Sequence, residues 1–145
     1  MPHTHASVLV HCVFSTKNRV NLIVEPEALW RYLAVLARDR KINLFAAGGT
    51  ANHAHLLLAL PPALCLATAL RELKAHSSRW IREHGHRFAW QEGYGAFSVS
   101  KAQQQVVIDY IGRQEEHHRK WSFEQEFPTL LRKSRIEYDP RFVFG

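Results

Sequence analysis

The chain has 145 residues, 46% of them hydrophobic, which suits one globular domain able to bury a real core. Nineteen Lys and Arg against 13 Asp and Glu give a formal charge of +6 and a pI near 9.7, before ten histidines are counted. That balance favours a polyanionic partner, with nucleic acid the usual one, and two cysteines exclude a disulfide framework.

Cys12 and Cys65 lie in apolar surroundings and read as small core residues. The opening Met1-Pro2-His3-Thr4-His5 lacks the charged-then-apolar order of a signal peptide. Leu56 to Leu70 is apolar enough to imitate a membrane span, but Pro61-Pro62 divides it into a strand, a turn and a helix start. No basic amphipathic helix lies outside the expected fold, so the expectation is a cytoplasmic protein with no membrane partner.

In chain order, residues 6–15 are a β-rich run that reads as a central strand. Ser15-Thr16-Lys17-Asn18-Arg19 then breaks the pattern. Two readings stand there: a solvated loop, or a loop whose Lys17 and Arg19 grip phosphates. Glu25-Pro26 opens a helix, and Leu29, Leu33 and Leu36 recur at core spacing until it stops near Lys41-Ile42-Asn43. Leu44-Phe45-Ala46-Ala47 is a short strand, and Gly48-Gly49 predicts a tight turn into the strand that follows. A long helix spans roughly 63–84, with Leu66, Leu70, Leu73 and Ser77 inside. Arg71, Lys74, Arg79 and Arg82 lie largely outside, and Lys74, Arg79 and Arg82 make a second candidate face for DNA. Gly85 stops this helix, and His84-Gly85-His86-Arg87 reads as its polar end rather than a metal cluster.

Residues 88–100 form a glycine-punctuated aromatic loop leading into a strand; its glycines lack the phosphate-loop pattern. Ser100 is placed to cap a helix near 101–119. Ser122 and Gln125 predict a capping box for a last helix through about Arg132, with Pro128 breaking it. The aromatic tail 138–144 is expected to pack on a surface groove or a second copy. The order β-α-β-β-α-β-α predicts a single α+β domain over 1–145. Its form would be a ferredoxin-like antiparallel sheet with helices mainly on one face and a tyrosine on a C-terminal helix.

Within this frame, Asn52-His53-Ala54-His55-Leu56 reads as strand, so His53 and His55 share one face, with Asn52, Ala54 and Leu56 on the other. Two imidazoles on a rigid strand make half of a divalent-metal site, although hydrogen-bonded structural histidines are an equal reading. The best partner is the helical stretch 106–114, where Tyr110 and Gln114 lie one turn apart. Val107 and Ile111 form a core stripe beside them, which puts Tyr110 at the margin of the buried face. Tyr110 reads either as a core aromatic or as a nucleophile in metal-assisted chemistry.

These residues resemble the single-tyrosine HUH transposases of small bacterial insertion sequences and their relatives associated with repetitive extragenic palindromes. The resemblance is carried by Phe14-Ser15-Thr16-Lys17-Asn18-Arg19, Asn52-His53-Ala54-His55-Leu56-Leu57-Leu58, Trp90-Gln91-Glu92-Gly93-Tyr94-Gly95-Ala96-Phe97-Ser98 and Tyr110-Ile111-Gly112-Arg113-Gln114-Glu115-Glu116-His117-His118. Ala54 departs from the pattern, where the family name implies a bulky hydrophobic residue. The resemblance implies cleavage and rejoining of single-stranded DNA at hairpin-flanked ends through a 5′-phosphotyrosine, by a homodimer. It implies His53, His55 and Gln114 as ligands of a divalent metal, and Tyr110 as nucleophile. Two nitrogens and an amide oxygen suit Mn2+, with Mg2+ used through its availability.

Two other readings compete. A catalytically silent module could bind single strands on a basic, aromatic sheet, but it has no need of His53, His55, Tyr110 and Gln114 together. A zinc hydrolase is disfavoured because no carboxylate or third histidine stands at a familiar ligand spacing.

Overall fold

A seven-residue strand, β1 (Leu9–Ser15), runs through the centre of the molecule with every residue buried. The computed structural model describes residues 3–144 and shows why. β1 is paired antiparallel on both sides, with β3 (His53–Ala59) and with β4 (Gly95–Val99). β2 (Asn43–Thr50) pairs antiparallel with β3, so the sheet order is β2-β3-β1-β4. Helix α1 (Pro26–Asp39) links β1 to β2, and α2 (Leu66–Glu83) links β3 to β4. This is the ferredoxin-like α+β arrangement expected from the order of elements.

Strand alternation sorts the core into two faces. Val10, Cys12 and Phe14 of β1, with Ala54, Leu56 and Leu58 of β3, pack under Leu29, Leu33, Leu70 and Leu73 of the two long helices. The opposite face carries three shorter helices: α3 (Gln104–Gly112), α4 (Gln114–His117) and α5 (Phe123–Lys133). There Ile111 joins Leu9 and Leu57, while Phe123, Phe127 and Leu131 join Val13 and Phe97.

Several local expectations change. The first strand begins at Leu9 rather than at residue 6, because Ala59 and Val99 are the last partners on either side. Gly48 and Gly49 lie inside β2, and the turn falls at Ala51-Asn52. Both glycines serve close approach: a Cβ at Gly48 would stand 2.5 Å from the Ile111 carbonyl oxygen, and one at Gly49 2.1 Å from that of His53. Cys65 is exposed at the start of α2, whereas Cys12 is buried as expected.

The 101–119 helix is three pieces: a single 3-10 turn over Lys101–Gln103, then α3, then α4 after a break at Arg113. Ser100 stands at the cap position without a side-chain capping bond. The Ser122–Gln125 capping box is present, but α5 runs unbroken through Pro128. Proline removes one backbone bond there. Burial of Phe123, Phe127 and Leu131 on one face, with the fixed helix start, outweighs that loss. Phe144 and Tyr138 of the tail fold back onto this aromatic cluster of their own chain.

Candidate metal centre and nucleophile

His53 and His55 point to the face that carries the C-terminal helices, and both are fully buried. Ala54 and Leu56 point the other way, as the strand period requires. Asn52 does not: it lies in the turn, with its Oδ1 2.9 Å from His53 Nδ1. Thr50 Oγ1 stands 3.0 Å from the same Nδ1 and donates to Asn52 Oδ1 at 3.2 Å. With that hydroxyl committed, His53 donates through Nδ1 to Asn52 and keeps a bare Nε2. His55 Nδ1 lies 2.8 Å from His11 Nε2 on the neighbouring strand, which likewise turns His55 Nε2 toward the helices.

The two Nε2 atoms meet oxygens from two helices, α4 and α5. Gln114 Oε1 is 3.0 Å from His53 Nε2. Glu126 Oε1 is 3.0 Å from His55 Nε2 and 3.7 Å from His53 Nε2. His118 Nε2 approaches Gln114 Oε1 at 3.0 Å and Glu126 Oε1 at 3.2 Å. Ligand atoms of His53, His55, His118 and Glu126 all lie within 4.8 Å of one another. Ions with bonds of about 2.0–2.6 Å hold their ligands at about this mutual separation. The bare His53 Nε2 facing the Gln114 amide oxygen is an acceptor opposed to an acceptor, and a cation between them removes the repulsion. The residues present therefore fit a divalent metal.

Electrostatics agree with that donor set. Burial first, and then the neighbouring His55 imidazole, pushes His53 down to about 3, so it is neutral and able to ligate at ordinary pH. Burial and His55 do the same to His11, also to about 3. Burial acts to raise Glu126, but the imidazoles of His118 and His55, with the Tyr110 hydroxyl, outweigh it and keep the carboxylate ionised.

Tyr110 is half-buried on α3 and donates its hydroxyl to Glu126 Oε2. Burial, followed by the Glu126 charge and hydrogen bond, raises its pKa well above the ordinary phenol value. Gln114 begins α4 yet stays beside Tyr110, its Nε2 3.3 Å from Glu126 Oε2. His117 Nε2 comes within 3.1 Å of the same oxygen at too poor an angle for a hydrogen bond, which leaves a buried nitrogen unpartnered. The nucleophile candidate and the metal-ligand candidates thus share one carboxylate.

Glu126, His117, His118, Thr50 and His11 were not foreseen as site residues. A signal for Glu126 existed: it falls on the Phe123–Phe127–Leu131 stripe, where a carboxylate needs a partner. The reason given for setting aside a zinc site also fails in space, since His118 and Glu126 supply a third imidazole and a carboxylate from distant positions.

The basic candidates are dispersed. Lys17 is exposed in the turn after β1. Arg19 donates Nε to Glu124 at 2.9 Å and lies over the Phe144 ring at 4.4 Å. Lys74 donates to the carbonyls of Gln91 (2.7 Å), Gly93 (2.9 Å) and Glu92 (3.3 Å), and burial lowers it to about 8. Arg79 and Arg82 are exposed on α2, Arg79 beside His76 at 3.0 Å and Arg82 against Ser78 Oγ at 2.5 Å.

Comparison with known proteins decides the family. The model of the IS200-like transposases matches residues 4–114. The chain belongs to this family. The transposases for insertion sequence element IS200 of Salmonella typhimurium and Salmonella typhi are each 27% identical over 124 residues, covering 79% of this chain and 81% of theirs. Among solved structures, a candidate transposase from Deinococcus radiodurans aligns with TM-score 0.62 and 22% identity, over 79% of this chain and 95% of its own. A tyrosine transposase bound to a repetitive extragenic palindrome (REP) hairpin aligns with TM-score 0.61 and 17% identity, over 84% of this chain and 76% of its own. In this IS200-like transposase the matched region includes His53, His55, Tyr110 and Gln114 but ends before His118 and Glu126.

Proposed function

We propose that this IS200-like transposase cuts and rejoins single-stranded DNA at hairpin-flanked ends, with Tyr110 as nucleophile. The observation that carries this reading is the shared carboxylate: Tyr110 of α3 and the Nε2 atoms of His53 and His55 of β3 converge on Glu126 of α5. His53, His55 and Gln114 would hold a divalent cation, which supplies charge neutralisation and orientation for a phosphodiester. Attack joins Tyr110 Oη to phosphorus as the bond to the 3′-oxygen breaks, leaving a 5′-phosphotyrosine and a 3′-hydroxyl. Glu126 Oε2 accepts a hydrogen bond from the Tyr110 hydroxyl and holds it in place; the phenol proton passes to water, and the leaving 3′-oxygen gains its proton from water. Storing the bond energy in the ester allows rejoining without a nucleotide cofactor.

A cavity of about 590 Å³ opens beside Tyr110, lined in part by Arg113, His117, Lys120 and Trp121. It gives a strand an approach to the hydroxyl, with cations for phosphate and an exposed indole for stacking. The hairpin part of the reading is supported by the REP hairpin in the similar structure. Tyr110 and Gln114 stand beside His53 and His55 within one chain, and a homodimer would bring two DNA ends together. No helix among the described residues is long and apolar enough to cross a membrane. A protein acting on DNA in this way would work in the cytoplasm.

The test is incubation with single strands from the gene's own flanks, in Mn2+ or Mg2+, followed by denaturing electrophoresis. A protein–DNA adduct is expected. Tyr110→Phe should abolish it while hairpin affinity stays within a few-fold. Binding without an adduct in the wild type would leave the silent-module reading instead.

A further inference from the structure

The ligands implied by the family resemblance are three, and all lie within the matched region. The side chains around them number more. α5 delivers Glu126 into the same cluster, with 2% of its side chain exposed, and the segment after α4 delivers His118. Neither position is accidental in packing terms. Glu126 lies on the face of α5 that Phe123, Phe127 and Leu131 bury against the sheet, so it cannot turn to solvent without lifting the helix. Phe123 also stacks on His53 with ring centroids 4.7 Å apart, and His118 sits edge-on to His53 at 4.3 Å.

A carboxylate buried this deeply needs partners that satisfy its oxygens. Its contacts are polar on both sides: Oε2 accepts from Tyr110 and Gln114, while Oε1 faces the Nε2 atoms of His53, His55 and His118. Those nitrogens and Glu126 bring their ligand atoms within 4.8 Å of one another, a meeting point that a divalent cation would fill.

We infer that Glu126, through Oε1, and His118, through Nε2, are metal ligands beside His53, His55 and Gln114, so that α5 is an integral part of the centre. The inference rests on the metal-centre reading above and extends it beyond the family-matched region. Three imidazoles, an amide oxygen and a carboxylate form a mixed set that favours Mn2+ over Mg2+, which prefers oxygen ligands and retains its waters. The other carboxylate oxygen, on the Tyr110 hydroxyl, ties nucleophile and ligand into one unit.

The experiment measures Mn2+ binding to EDTA-stripped, dialysed protein by calorimetry, with no DNA present. Glu126→Gln and His118→Ala should each weaken Mn2+ binding at least tenfold, since even outer-sphere partners of a metal contribute 10–100-fold. Wild-type protein should bind Mn2+ more tightly than Mg2+ by a similar factor. A measurement needing no variant is hydrogen exchange of α5: Mn2+ should protect amides in 123–133 of the wild-type chain. If Mn2+ affinity is unchanged in Glu126→Gln but lost in His53→Ala, the inference fails and the three-ligand reading stands. Absence of α5 protection on Mn2+ binding overturns it as well, even should Glu126→Gln fail to fold. A wild-type chain that binds neither ion would remove the metal centre itself.

Discussion

His11 and His53 stay neutral in the folded chain because burial, reinforced by His55, holds both near 3, against about 6.5 for an unfolded histidine. Between those values the unfolded chain binds protons that the folded chain refuses, so stability rises with pH there and falls as acid is added. The contribution is fully present above about pH 6.5 and is lost progressively toward pH 3, at up to about 1.4 kcal/mol per pH unit for each imidazole. Glu126 acts in the same direction, since its folded pKa is depressed and its benefit disappears as it protonates. The expected result is a urea midpoint, measured in EDTA, that is steady from pH 8 to 7 and drops steeply below pH 6. A midpoint unchanged down to pH 5 would show that the histidines are already protonated in the fold.

At the scale of elements, the seat of α3 on the sheet depends on Gly48. A Cβ there would stand 2.5 Å from the backbone oxygen of Ile111 and 3.1 Å from its Cγ2, and neither side can yield without moving the helix. Gly48→Ala should therefore cost about 1–3 kcal/mol in overpacking. It should also lower adduct yield beyond what stability explains, because α3 carries Tyr110. Equal adduct formation by Gly48→Ala and wild type, at a temperature where both are folded, would show that α3 needs no such close approach.

Element-level patterns also explain what could be read in the chain beforehand. The His53–His55 face follows from a period of two, which packing cannot alter without unpairing β3. Tyr110 and Gln114 were legible as neighbours because four-residue spacing survives the break at Arg113. The locations of Glu126 and His118 were not legible, since they depend on where α5 and its preceding turn dock on the sheet. Pro128 misled for a related reason: local propensity predicts a break, and burial of the α5 aromatic face overrides it. Gly48-Gly49 looked like a turn because close backbone approach and turn geometry call for the same residue.

For the molecule as a whole, a charge of +6 is spread over separate patches, and the structure distinguishes which cations are free to meet DNA. Arg19 is committed to Glu124 and Phe144, and Lys74 to three carbonyl oxygens of 91–93, so each has a structural task within its own chain. Lys17 is exposed in the same turn, and its backbone N–H is held by the Ala89 carbonyl at 2.9 Å, which fixes the turn while the ammonium has no partner among the described residues. If that ammonium meets one phosphate of a single strand, Lys17→Ala should reduce the slope of log affinity against log salt by about 0.7. Affinity should fall most at low salt, with little change in thermal stability. Arg19→Ala should behave differently: the melting temperature should drop as α5 loses its tie to the turn, with a smaller change in slope. Adduct formation by Lys17→Ala at saturating DNA should equal that of the wild type, because the lysine does not touch the Tyr110–Glu126 unit. A salt slope identical in Lys17→Ala and wild type would make this turn a solvated one and shift the search to Arg71, Arg79 and Arg82, exposed along α2.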